Sequence, residues 1–157
     1  MMQEIIQTLM AMLGAVGFSI LFNVRKKKLA AAAVGAGISW VVYLVTYNLY
    51  EDKVFSLLCA TIVMALLAEI LARVMKTPVT ILLVPMLIPL FPGSDLFYAT
   101  SHLVQNHDQQ GVEYLELVLK EAGAIAFGII LVTCVVQVIL KVWGHFKRQG
   151  TSQRTEK

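Results

Sequence analysis

An all-α integral membrane protein with about five spans is predicted by three observations. Hydrophobic residues make up 58% of the 157-residue chain and charged residues only 15%, where a soluble domain carries about 25% charged. The mean hydropathy is +0.74. The apolar residues also fall in blocks close to the length of a bilayer span, about 20 residues. No polar block is long enough to fold as a separate soluble domain.

The first span covers residues 5–24 and stops at "RKKK", residues 25–28. Its leading segment, "MMQEIIQTLM", carries Glu4 where a secretory signal has its positive region, and no small-residue cleavage site follows, so the span is expected to be retained. The second span, residues 29–48, is followed by the short loop "LYEDK". The third, residues 54–72, ends at Arg73 and Lys76. Residues 78–92 form a fourth, proline-rich run, and a more polar stretch starts at Gly93. Within it Ser94 is an expected N-cap, and "DLFYATSHLVQ" an expected short helix in or on the outer interface. The fifth span, residues 122–142, completes a transmembrane domain over 1–146, with a basic, polar tail at 147–157.

With five spans, Arg25, Lys26, Lys27, Lys28, Arg73, Lys76, Lys141, Lys147, Arg148, Arg154 and Lys157 share one side, against Lys53 and Lys120 on the other. The acidic residues Glu4, Glu51, Asp52, Asp95, Asp108, Glu113, Glu116 and Glu121 collect with the latter. The positive-inside rule then places the amino terminus outside and the carboxyl terminus in the cytoplasm. It also makes residues 78–92 a crossing, because a re-entrant loop would send the basic tail outside. The net charge of +3 has the same topological origin. No zinc-ligand spacing, Gly-rich phosphate loop or basic–aromatic stripe points to nucleic acid or nucleotide.

Every proline of the chain, Pro78, Pro85, Pro89 and Pro92, lies in the fourth run. As a helix the run reaches only about 22 Å, short of a hydrocarbon core of about 30 Å. With Pro78 at zero, Pro85, Pro89 and Pro92 fall near −20°, +20° and −40° on a helical wheel, so all four share a face. Each proline deprives the carbonyl four residues earlier of its donor. These carbonyls, of Val74, Ile81, Pro85 and Ile88, cluster between about −20° and −80°. Unpaired carbonyls in lipid are costly, so the row is expected to face protein or water. Breaks near Pro85 or Pro89 would also expose half-helix ends of the kind that hold substrate carboxylates in transporters. A kinked packing helix is the alternative.

Thr77, Pro78, Thr80, Pro85, Pro89, Pro92, Gly93, Asp95, Tyr98 and Asn23 are thus candidates for a substrate pathway. Thr77 is also a candidate cap for a helix starting at Pro78, Asp95 and Tyr98 for a cap or an outer vestibule, and Asn23 for a helix end. Glu69 and Arg73, one turn apart, form either an ion pair or a proton site. Gly14, Gly17, Ala31, Gly35, Gly37, Gly123, Ala124 and Gly128 suit close helix contacts. Cys59 and Cys134 read as packing residues. His102, His107 and His145 are isolated, no catalytic set is visible, and no metal or cofactor is expected.

"GFSILFNVRKKKL", "GAGISW" and "LLAEILARVMKTPVTILLVPMLIPLFPG" followed by Tyr98 together resemble the short subunit of the bacterial threonine/serine exporter family. The resemblance covers nearly the whole chain and is most specific over residues 67–93. Where the family has glycine after the central proline, this chain has Met86. The resemblance implies an inner-membrane exporter of small amino acids, driven by the proton gradient and paired with a longer membrane subunit. Some such pairs are linked to export of dicarboxylates such as succinate. An odd number of spans would require an inverted partner half, as in other secondary transporters. The alternative is an accessory or assembly subunit whose partner carries the transport chemistry.

Overall fold

The computed structural model describes residues 2–105 and 108–155, without the side chains at 26, 108 and 143–155. Six α-helices follow one another: α1 Met2–Leu21, α2 Lys26–Tyr50, α3 Lys53–Val74, α4 Thr80–Leu87, α5 Gly93–Val104 and α6 Asp108–Thr155. A 3-10 turn, Ile88–Leu90, extends α4. By length and composition four helices can cross a membrane, or up to five if the bent pair Thr80–Leu90 and Gly93–Val104 is one span.

Tight helix ends set the antiparallel order. Asn23 has φ 54°, and Val24 N–H returns to Ser19 C=O at 2.9 Å. This left-handed closure suits asparagine better than any residue but glycine. Lys76 repeats it at the end of α3 with φ 48°, where Thr77 N–H bonds Ala72 C=O at 2.9 Å. At the other end Asp52 caps α3 by accepting from Phe55 N–H at 3.1 Å, and Asn48 Nδ2 donates to Glu4 across α1 and α2 at 3.0 Å.

The proline run crosses from one end of the bundle to the other. At its start Lys28 Nζ donates to Thr77 Oγ1 at 2.7 Å. At its far end Asp95 pairs with Lys53, the first residue of α3. Those two ties sit at opposite ends of α3, whose 22 residues span about 33 Å. A loop that turned back toward Thr77 could not make the second tie.

The run is not the continuous helix that the wheel assumed. Pro78 precedes α4 and is exposed, Pro85 lies inside α4 and is buried, Pro89 is the middle residue of the 3-10 turn, and Pro92 precedes α5. Only Pro85 and Pro89 therefore keep the expected helical relation. At Pro92, with φ −77° and ψ 57°, Gly93 N–H reaches back to Phe91 C=O at 2.8 Å. This inverse γ-turn produces a 56° bend into α5. Two capping expectations fail with the same geometry. Neither α4 nor α5 has a side-chain cap: Thr77 lies too far upstream and accepts from Lys28 instead, and Ser94 is already inside α5.

The polar stretch after the bend is helical, as α5 and the first turns of α6 form a hairpin beyond the Lys53 end of α3. There Tyr98 packs tilted against Tyr114 with ring centroids 5.6 Å apart, and His102 stacks on Tyr114 at 5.5 Å. The fifth span is one section of the 48-residue α6. The backbone of the expected tail continues that helix to Thr155, while its side chains and residues 156–157 lie outside the described residues, as do His107 and the side chain of His145.

The core lies among α2, α3 and α4. Ala60, Ala68 and Ala72 on α3 let Met64, Leu82, Met86 and Leu90 pack closely. Met86 is wholly buried and fills the notch left by Gly35, where an added Cβ would stand 2.2 Å from its Cε. Gly37 and Gly128 likewise meet Met12 and Thr61, whereas Gly14, Gly17 and Gly123 have nothing within 4 Å.

Candidate functional site

The turn between α1 and α2 faces the start of α4 across a cavity of about 390 Å³, lined by Phe22, Asn23, Val24, Arg25, Lys28, Thr80, Ile81, Val84 and Pro85. Its volume is that of a small-molecule site. The lining holds two cations and no carboxylate. Asn23 is placed there by the closure of α1, and Arg25 by the extended residue before α2. Lys28 is steadied by its bond to Thr77.

Prolines supply the opposite polarity. Pro85 cannot donate to Ile81 C=O, and Pro89 cannot donate to Pro85 C=O. Both residues with a freed carbonyl line the cavity. The other two carbonyls of the expected row are placed differently: Ile88 C=O accepts from Phe91 N–H at 3.2 Å, and Val74 ends α3 before the run begins. Two cations and the two residues whose carbonyls lose a proline's donor thus share one lining, with Asn23 and Thr80 adding groups that both donate and accept.

Of the residues expected on a substrate pathway, Asn23, Thr80 and Pro85 meet here, with Thr77 one hydrogen bond away. Pro78 precedes them on the exposed surface, and Pro89 lies one helical turn beyond Pro85. Pro92, Gly93, Asp95 and Tyr98 stand at the opposite end of the bundle. Asp95 neither caps α5 nor lines an open vestibule. It is 7% exposed and bound to Lys53, whose Nζ also lies 3.0 Å from Glu121 Oε1.

Glu69 and Arg73 form an ion pair at 2.8 Å, and the same guanidinium donates to Glu69 C=O at 2.8 Å. The pair closes on its own turn of α3 and lines neither the cavity nor the Lys53 cluster. Among the described residues no three metal-ligating side chains gather.

Arg25 and Lys28 stood out in the sequence only as topology signals. Their place beside Asn23 in a loop between two spans was the available clue to a binding role. In the sequence Lys53, Asp95 and Glu121 share only a side in the charge count, and nothing there pairs them.

A family model described as "Threonine/Serine exporter, ThrE" matches residues 7–135. No curated protein and no solved structure matches the chain.

Proposed function

Because the chain belongs to the threonine/serine exporter family, we propose that it is one half of a secondary exporter of small amino acids and that the cavity between the α1–α2 turn and α4 takes up the substrate. The observation that carries this reading is the meeting of Arg25 and Lys28 in one cavity lining with Ile81 and Pro85, the residues whose carbonyls a proline leaves without their usual donor. The two cations suit a carboxylate. The carbonyls suit an ammonium group, and Thr80 and Asn23 suit the hydroxyl of threonine or serine. A dicarboxylate such as succinate would use the cations and leave the carbonyls without a donor, so a zwitterion fits better.

The cavity lies at the basic end of the bundle. Positive-inside bias makes that end cytoplasmic, which is where an exporter in a bacterial inner membrane loads. In this reading the amino terminus is outside and the longer partner subunit has the inverted topology. A reporter-fusion map with both halves in the same orientation would refute that arrangement.

The test is efflux of labelled threonine from cells carrying the chain, lacking it, or carrying Pro85→Ala. Alanine restores a donor to Ile81 C=O and removes an acceptor from the cavity. Loss of a hydrogen bond to a charged group, about 1.5–3 kcal/mol, predicts a KM raised about tenfold or more, with the variant still assembling in the membrane. If deletion abolishes efflux while Pro85→Ala exports with an unchanged KM, the chain is an assembly subunit and the transport chemistry lies on the partner.

A further inference from the structure

We propose that Lys53, Asp95 and Glu121 form a site that holds one exchangeable proton on the carboxylate pair, at the bend where the proline run turns into α5. The inference rests on the exporter reading, and it adds to that reading the group that couples transport to a proton.

Two carboxylates share one ammonium, and three helices bring them together from positions far apart in the chain. Lys53 opens α3, Asp95 lies in the first turn of α5, and Glu121 lies within α6. Glu121 is 0% exposed. Its Oε1 is 3.0 Å from Lys53 Nζ without an aligned hydrogen bond, and neither carboxyl oxygen meets an aligned hydrogen-bond donor among the described residues. The Lys53 side chain, 35% exposed, is the cluster's contact with water.

With all three groups ionised the cluster would hold one uncompensated negative charge beside the wholly buried carboxylate of Glu121, which is expensive. Two carboxylates that share a site relieve this by keeping one proton between them. Among the described residues, the cation paired with these carboxylates is Lys53 alone. From α2, Tyr43 lies within electrostatic reach of all three groups and is neutral near pH 7. On α6, Lys120 is engaged with Glu116 at 2.7 Å on the exposed face. Asp52, before α3, is engaged with Phe55 N–H.

The geometry also selects the carboxyl that carries the proton. Asp95 accepts directly from Lys53 and lies near the amino end of α5, where helix N–H groups favour an anion. Glu121 lies far from both ends of α6 and has an oxygen without a donor, so the proton resides there. On release the carboxyl O–H bond breaks, the proton leaves to water past Lys53, and a second anion remains. Two anions on one ammonium weaken the tie that holds α5 to α6 beside the Pro92 bend. The proton state thereby biases the bend.

Two isosteric variants test the count, because Glu121→Gln and Asp95→Asn each leave one carboxylate for one ammonium. Infrared spectra of the reconstituted chain should show the C=O stretch of a buried protonated carboxylic acid near neutral pH, and each variant should lose it. In membrane vesicles from host cells, both variants should keep threonine–threonine exchange and lose threonine movement driven by a pH gradient. A band unchanged in both variants, or gradient-driven transport that survives in both, would overturn the proposal. Should wild-type vesicles neither exchange nor accumulate threonine, the exporter reading fails, and the infrared band still decides the proton site.

Discussion

Replacing both Arg25 and Lys28 with Gln should abolish threonine efflux at ordinary substrate levels while leaving the helices in place. Each side chain lines the cavity, and neither is needed to satisfy a buried acid there. A charge-assisted hydrogen bond contributes about 1.5–3 kcal/mol, so each single change should raise KM about tenfold or more. The double change should exceed either single one, since a carboxylate left with no cation gains nothing by leaving water. Lys28→Gln should have a further effect, because Lys28 also ties α2 to Thr77. Arg25→Gln is therefore the cleaner probe of binding. Efflux kinetics and membrane abundance, measured together, check the prediction. Unchanged kinetics in Arg25→Gln would remove the cavity from the transport path.

Met86→Ala should destabilise the bundle strongly and by a different route. Met86 is wholly buried among Leu82, Leu90 and the alanine face of α3. Truncating a buried methionine costs about 2–5 kcal/mol through lost contacts and the cavity left behind. Gly35→Ala attacks the same contact from α2, since its Cβ would overlap Met86 Cε at 2.2 Å and Sδ at 2.9 Å. Overpacking of this kind costs about 1–3 kcal/mol. The double variant should recover part of the loss, because the alanine methyl enters space that Met86 vacates. Thermal unfolding of the detergent-purified protein, read across the four-member cycle, gives the coupling. Met86 on α4 thus packs into the notch that Gly35 leaves on α2.

The spans were legible because a bilayer demands long apolar blocks, and α1, α2 and α3 fall where those blocks lie. That the proline run passes from the Thr77 end of α3 to its Lys53 end agrees with the charge bias on its flanks. Its internal shape was not legible. A wheel assumes one continuous helix, but Pro92 turns the chain at a γ-turn and Pro78 stands outside α4. The helix after the bend was legible in "DLFYATSHLVQ", which falls in α5, but its packing as a hairpin against the first turns of α6 was not. The Lys53–Asp95–Glu121 cluster was invisible for a simpler reason. Its first two members are 42 residues apart, and only the fold brings them together.

The most direct test of the substrate cavity uses a single cysteine. In a background with Cys59 and Cys134 replaced by Ala, Thr80→Cys places a thiol on the exposed wall of the cavity. A charged, membrane-impermeant maleimide should label it from the cytoplasmic face, and threonine should slow that labelling in a saturable way, while a neutral sugar should not. Labelling from the cytoplasmic face at a rate that saturating threonine and serine leave unchanged would contradict the account.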